Sequence, residues 1–322
     1  MRTIKVGTRQ SALALTQTGQ VIAQLERLAA EAGMACQFEV VRMVTKGDRI
    51  LDVSLSKVGG KGLFVKEIEQ ALVDGVIDIA VHSMKDVPSR LQEGLVIGAV
   101  PERLDPRDCL IMSGGCQVFA DLPQGATVGT SSLRRGAQLL AMRPDLAIVP
   151  LRGNIDSRLR KLTDEGLDAI VLAAAGLARM GWTDRISAYL PPEECIPAVG
   201  QGALGVECRQ DDKFTLALLG LLHHEATALA VAAERAFLRR LDGGCQVPIG
   251  AYAAWEESAA GDGDGKRCLK LKGMVGRPDG KLVLAEQYVG TDPEALGTEL
   301  AEALLVRGAA AILAEVAGGA GP

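Results

Sequence analysis

Aromatic side chains are scarce in this chain of 322 residues: Phe, Trp and Tyr together make up 3 %. A surface built to stack nucleic-acid bases is therefore not expected. Basic charge is not in excess either. Lys and Arg number 35 against 40 Asp and Glu, the net charge is −5 and the pI about 5.4. That balance excludes nucleic acid or an anionic membrane as the main partner. Any basic cluster must then be local and concave. No run of about 18 apolar residues marks a spanning helix. Met1-Arg2-Thr3-Ile4-Lys5-Val6-Gly7 enters a strand without the apolar core of a secretory leader. The seven cysteines are an odd number with no C-x-x-C pair, so neither a disulfide framework nor a structural zinc site is read. A reducing cytoplasm is the expected compartment. Of only three histidines, His223 and His224 are adjacent, and a helix would point them to different sides. With no Cys or Asp cluster nearby, no metal is expected.

Hydrophobic residues at 48 % and charged residues at 23 % fit a globular protein with real cores, and the length fits about two or three domains. Apolar periodicity alternates between strand and helix. Ile4–Val6, Phe38–Val44, Ile77–Val81 and Leu95–Val100 read as strands, Ala12–Ala32 and Leu63–Val73 as helices. Gly33 and Gly75 stand where helix C-caps are expected. Pro101–Pro106 interrupts the pattern. A second α/β unit follows, with strands near Cys109–Met112, Thr127–Gly129, Leu146–Val149 and Ala169–Leu172, and helices after Ser131, Asn154 and Ala174. After breaks at Pro191-Pro192 and Pro197–Gly202, Leu204–Cys208 reads as a strand that returns to the first domain. The remainder has a helix at Ala226–Leu241, strands at Val247–Trp255, Cys268–Val275 and Leu282–Val289, and one helix over Asp292–Val316. Runs of strands flanked by helices suggest a small α+β domain. The expected domains are residues 1–101 with 202–220, residues 102–201, and residues 221–322. Gly261-Asp262-Gly263-Asp264-Gly265 reads as a plain turn, since it lacks the later Glu of a calcium loop.

Asp78–Pro88 begins as an apolar strand and stops in Ser83, Lys85 and Asp86. Strand ends of this kind open onto ligand crevices in α/β proteins. An adjacent cation and carboxylate could grip an anion and steady a positive charge there, and a surface ion pair is the plain alternative. Arginines gather at element starts. Gly129–Arg135 is a strand end, a hydroxyl-rich turn with Ser131 at the helix start, and then Arg134 and Arg135. Free N–H groups and guanidinium forks make such a turn an anion site. Leu151–Arg158 repeats the idea with Arg152 and Arg158, Arg179 follows an Ala-rich stretch, and Arg9-Gln10-Ser11 opens the first helix. Four such turns in one acidic chain point to a shared anion-binding cleft. Leu55–Phe64 is glycine-rich and carries Lys57 and Lys61, without the spacing or final hydroxyl of a P-loop. It reads as a surface loop or as a lid over an anionic ligand. Gly-Gly-Cys-Gln-Val occurs twice, around Cys116 and Cys245. Arg239 and Arg240 near Cys245 favour its thiolate, and the end of the preceding helix opposes it. The local chemistry leans to Cys245, with an inert thiol still open.

Arg9–Ala14, Lys57–Phe64, Val81–Pro88, Gly129–Arg135, Leu151–Arg158, Pro197–Gly202 and Gly243–Pro248 together resemble, in this order, the motifs of the porphobilinogen deaminase, or hydroxymethylbilane synthase, family. The resemblance runs from Val6 to about Val316. It implies an α/β fold of two periplasmic-binding-protein-like domains flanking a cleft, plus a small α+β C-terminal domain that presents a cysteine. That cysteine carries a dipyrromethane cofactor through a thioether. The resemblance assigns it to Cys245, because the motif runs on into Pro248-Ile249-Gly250, and makes the copy at Cys116 a decoy. The implied reaction joins four porphobilinogen units head to tail. Each loses ammonia through an azafulvene-like cation, and hydrolysis then releases hydroxymethylbilane. By the same resemblance Asp86 is the catalytic carboxylate and also faces the cofactor, with Lys85, Ser131, Arg134, Arg135 and Arg158. Arg9, Ser11, Arg152, Arg179, Lys57 and Lys61 are implied to hold substrate carboxylates. Porphobilinogen is the implied partner, the chain is expected to be a monomer, and Pro101–Asp105, Pro197–Gly202 and the lysine loop are expected to move as the product grows. A solute-binding protein is the rival reading. It would share the cleft and the arginines, but would need neither Asp86, Cys245 nor a third domain.

Overall fold

The computed structural model describes residues 1–45, 65–242, 247–257 and 267–318. The chain groups into two compact units, Met1–Leu104 with Ala203–Ala228, and Asp105–Gly202 with Leu229–Pro322.

The first unit begins with β1 (Arg2–Arg9), α1 (Ala12–Glu31) and β2 (Cys36–Met43), the two strands pairing in parallel along their whole length. Helix α2 (Lys66–Val73), β3 (Ile79–Ser83), a 3-10 turn at Met84–Asp86 and β4 (Leu95–Ala99) follow. The second unit then runs β5 (Asp108–Met112), β6 (Thr127–Gly129), α3 (Leu133–Met142), β7 (Ala147–Val149), α4 (Ile155–Asp164), β8 (Ala169–Ala173), α5 (Ala174–Met180) and β9 (Ala188–Leu190). The chain returns as β10 (Leu204–Arg209) and α6 (Lys213–Gly220). It ends with α7 (Glu225–Arg240), β11 (Ile249–Glu257), β12 (Arg267–Gly276), β13 (Val283–Gly290), α8 (Pro293–Val306) and α9 (Ala309–Ala317).

The two five-stranded sheets are built alike. Their orders are β2-β1-β3-β10-β4 and β7-β6-β8-β5-β9. In each, the fourth strand runs antiparallel to its neighbours, β10 in the first and β5 in the second. An antiparallel strand starts where parallel ones end. Leu204 therefore lies opposite Ser83, and Asp108 opposite Ala173. Each sheet thus gathers, along one edge, the carboxyl ends of four parallel strands and the first residue of the antiparallel one.

Helices cover both faces of the first sheet. On one, Ile4, Val6, Ile79, Val81 and Val206 pack with Val21 and Leu25 of α1 and Leu218 and Leu219 of α6. On the other, Ala80 and Leu95 pack with Ile68, Ala71 and Leu72 of α2. Each buried Val, Leu or Ile contributes about 1.5–3 kcal/mol. The three-stranded sheet β11-β12-β13 buries Leu269, Leu271 and Val275 against Phe237 of α7 and Leu300 and Leu304 of α8.

Most expected elements appear within a few residues of their expected bounds, and Gly33 and Gly75 follow α1 and α2 with φ of +67° and +69°. The single helix expected over Asp292–Val316 is in fact two. Gly308 takes φ +101°, a left-handed conformation that ends α8 and lets the chain turn into α9. Strand β9 and helix α6 were not anticipated. The lysine loop and the Gly261–Gly265 turn lie outside the described residues.

Candidate active site

In the first unit, β1 and β3 are parallel neighbours, with Val6 opposite Ile79, so Arg9 and the Lys85–Asp86 turn leave the sheet along one edge. Ser11 caps α1, its Oγ accepting from Ala14 N at 3.3 Å. Gln17 of α1 donates to Ser83 Oγ at 3.0 Å, tying the helix to the end of β3. The turn is pinned through Met84, whose N donates to Ala203 O at 3.0 Å and whose side chain is buried. Lys85 and Asp86 are left half-buried at the edge. The Asp86 carboxylate has no hydrogen-bond partner among the described residues.

In the second unit, β7, β6 and β8 are adjacent and parallel, so the turns bearing Ser131 and Arg152 emerge along one edge, where β8 also runs into α5, whose last turn holds Arg179. Ser131 Oγ donates to Leu151 O and accepts from Leu151 N, both at 3.0 Å, and so joins two of these turns. It is not the helix cap. Ser132 fills that place, accepting from Arg135 N at 3.4 Å. Asn154 caps α4, its Oδ1 accepting from Ser157 N at 2.9 Å, while Arg158 Nε donates to Gly153 O at 2.9 Å. Arg152 and Arg158 are half-buried. Gly153 has φ +110°, and a Cβ there would lie 2.0 Å from Ser157 Oγ.

Behind this edge lies a charge cluster centred on Asp108, whose side chain is wholly buried. Arg134 Nη1 donates to Asp108 Oδ2 at 2.7 Å, and Arg135 Nε and Nη2 donate to Oδ1 at 3.0 and 2.7 Å. Gln201 Nε2 donates to the same Oδ1 at 2.8 Å. Burial alone would push the Asp108 carboxyl up. The charges and hydrogen bonds of Arg134 and Arg135 outweigh it and hold the carboxyl well below the usual carboxylate range. Arg134 also donates to Ile196 O and Arg135 to Val171 O. One carboxylate thus serves two buried guanidiniums. Arg179 is buried as well, and it donates to Gly202 O at 2.8 Å with no carboxylate partner among the described residues. Burial pushes its pKa down to about 10, so it remains charged at neutral pH.

The structure therefore places Arg9, Ser11, Lys85 and Asp86 along one edge, and Ser131, Arg134, Arg135, Arg152, Arg158 and Arg179 along the other or just behind it. Cys245, Lys57 and Lys61 lie outside the described residues. Cys116 is half-buried, its Sγ donating to Asp121 O at 3.6 Å. His223 and His224 have structural work: the Nδ1 of His223 accepts from Val100 N, and that of His224 accepts from Thr227 N in the first turn of α7. Sequence reasoning missed Asp108 and Gln201. The only available signal was a strand that opens on a carboxylate directly after Pro106-Arg107.

Each sheet has an edge with cationic residues suited to carboxylates, and in the first unit one carboxylate, Asp86, stands at the same edge as Arg9 and Lys85. Residues 4–217 match the family model described as porphobilinogen deaminase, dipyromethane cofactor binding domain, and residues 228–306 match the porphobilinogen deaminase C-terminal domain. A porphobilinogen deaminase of Paenibacillus macerans is 58 % identical over 318 residues, covering 95 % of this chain and 98 % of the relative. One from Brevibacillus brevis is 58 % identical over 312 residues, covering 97 % of each. The chain belongs to the porphobilinogen deaminase family. It is accordingly a transferase of tetrapyrrole synthesis that uses a dipyrromethane cofactor. Among solved structures, a YaeC-family lipoprotein of Enterococcus faecalis V583 is 15 % identical with a TM-score of 0.42, covering 71 % of this chain and 94 % of that one.

Proposed function

We propose that Asp86 is the catalytic carboxylate of this deaminase, that Cys245 carries the dipyrromethane, and that the cations of both sheet edges receive the carboxylates of cofactor and substrate. Lys85, Ser131, Arg134, Arg135 and Arg158 are assigned to the cofactor, and Arg9, Ser11, Arg152, Arg179, Lys57 and Lys61 to porphobilinogen. The observation that carries this reading is the surplus of buried positive charge in the second unit. Arg134 and Arg135 are buried on the single carboxylate of Asp108, and Arg179 is buried with no carboxylate partner among the described residues. Buried charge without a partner is costly, and the acetate and propionate groups of pyrrole units are partners of the right sign. The residues fit the cofactor.

When bound, the dipyrromethane would supply the free pyrrole α-carbon to which the first unit is joined, each later unit joining the ring added before it. The chain's part is electrostatic and positional. Guanidiniums fix ring carboxylates by paired hydrogen bonds. Asp86, open at the end of β3, accepts pyrrole N–H groups and offsets the positive charge that grows as ammonia departs. It is also placed to take the proton lost when the rings join. Assignment of the anchor to Cys245 is supported by the state of other thiols. Burial pushes Cys109 and Cys195 up to about 12 and Cys208 up to about 11, which leaves them unreactive near neutral pH. The six described cysteines are all free, which supports work in a reducing cytoplasm. A monomer is the proposed state, to be checked by light scattering.

Two measurements test the reading. Intact mass of the denatured wild type carries an excess of two linked pyrroles, and Cys245→Ser carries none. An excess retained by that variant refutes the anchor. Asp86→Asn lowers kcat by about 10²–10⁴-fold with the cofactor still attached, and unchanged turnover refutes its role.

A further inference from the structure

Residues 196–202 of the second unit reach all three of its buried guanidiniums. Ile196 O accepts from Arg134 Nη1 at 2.7 Å, and Gly202 O accepts from Arg179 Nη2 at 2.8 Å. Gln201, only 1 % exposed, acts on Arg134 and Arg135 through the carboxylate that they share. The nitrogen of a primary amide carries two hydrogens, and both of those on Gln201 are engaged. Nε2 donates to Asp108 Oδ1 and to Pro106 O, each at 2.8 Å.

These two bonds act on one strand entry. Pro106 lies two residues before Asp108, so a single amide holds the backbone leading into β5 and the carboxylate at its first position. Asp108 Oδ1 receives Gln201 beside Arg135 Nε and Nη2, while Oδ2 receives Arg134 Nη1. The last torsion of an aspartate is broad, and the amide removes that freedom. Because the carboxylate is planar, fixing one oxygen also fixes the direction in which the other meets its guanidinium. Packing alone would be served by an apolar side chain at position 201. A buried amide set between a carboxylate and a carbonyl is directional instead.

Gln201 is itself held in place. Gly200 and Gly202, on either side of it, have φ of +70° and +88°, a region that glycine enters without penalty. Gln201 N closes the turn onto Ala198 O at 2.9 Å. Gly200 N donates to Glu234 Oε2 at 2.6 Å, and Glu234 Oε1 accepts from Ala253 N at 2.9 Å. Glu234, wholly buried on α7, thus ties the turn to β11.

We propose that Gln201 is a positioning residue for the cationic edge of the second unit. Through Asp108 it sets the orientation in which Arg134 and Arg135 meet the carboxylates of the dipyrromethane. The proposal rests on the assignment of those two arginines to the cofactor.

The test is the rate at which full-length protein purified without cofactor gains the mass of two linked pyrroles on incubation with porphobilinogen. Intact mass follows the gain, at a temperature where circular dichroism shows each variant folded. Gln201→Met keeps the length of the side chain and removes both N–H groups, and it should load about 10–10²-fold more slowly than wild type. A role confined to packing would lower Tm and leave the loading rate of the folded protein unchanged, and that result overturns the proposal. Gln201→Glu, closest in shape to the wild type, covers the case in which Gln201→Met does not fold. Its carboxyl would face Asp108, whose like charge favours the protonated form, and only that form donates. The other ionisable groups around the turn, Arg134, Arg135, Arg179, Cys195 and Glu234, are those of the wild type. Loading by Gln201→Glu relative to wild type should therefore rise between about pH 8 and about pH 5.5, and a constant ratio contradicts the proposal. Arg135→Gln separates the two readings. If it loads slowly while folded Gln201→Met loads normally, the cofactor assignment stands and the positioning role is refuted. If Arg135→Gln loads as fast as wild type, the cofactor assignment fails and the proposal falls with it.

Discussion

Asp108 accepts hydrogen bonds from two guanidiniums and an amide at once, so its charge can be removed without changing its shape. Asp108→Asn leaves Arg134 and Arg135 buried without a counter-charge, and breaking a buried pair in this way costs about 3–5 kcal/mol. Urea unfolding at neutral pH measures the loss. The pH dependence has a definite sign. A carboxyl held below its ordinary pKa by folding contributes stability above the ordinary carboxylate pKa, lost as pH falls towards the depressed value. Wild type and Asp108→Asn should therefore converge in stability on acidification. At this scale legibility in the sequence divides by distance along the chain. Lys85, Asp86 and the arginine turns could be read because each sits in a local motif. Asp108 could not, since its partners lie 26, 27 and 93 residues away. Glu69 looks like any charge on an amphipathic helix, and only the packed sheet reveals that it is buried.

Among the elements, the turn from β7 into α4 is the most sharply constrained. Gly153 combines φ +110° with 2.0 Å between a would-be Cβ and Ser157 Oγ. A side chain there meets both steric overlap and a left-handed backbone, at about 1–3 kcal/mol for the strain alone. Gly153→Ala should raise KM for porphobilinogen, because Arg152 and Arg158 are carried by this turn, and should change the far-ultraviolet spectrum little. Adding Ser157→Ala relieves the overlap but not the φ, so rescue should be partial; full rescue would assign the whole effect to contact. Strands and helices were readable because apolar runs end at glycine, proline or a hydroxyl cap. The break between α8 and α9 was not, because apolar spacing runs on past Arg307-Gly308 and only the backbone at Gly308 shows the turn.

Taken whole, the molecule uses one strand order twice, and the copies differ in where the antiparallel strand comes from. In the second sheet it is β5, the first strand of a contiguous stretch. In the first it is β10, which follows β4 only after the whole of that stretch. The return of Leu204–Cys208 was legible as an apolar strand beyond a proline-rich break, whereas the repeat of the strand order was not, since the two sheets share no sequence motif. Val206 in β10 is wholly buried. Val206→Asp should therefore deprotect amides of residues 79–99 in hydrogen exchange while those of residues 127–129 and 169–173 stay protected.

The late arrival of β10 also orders events on the ribosome. At about 5–20 residues per second, roughly 5 to 20 s separate emergence of β4 from emergence of β10. Through that interval the facing edges of β3 and β4 are bare, and bare strand edges recruit other strands. The second sheet can complete its pairing before the first one can, so the first-made sheet is the one left with open edges during synthesis.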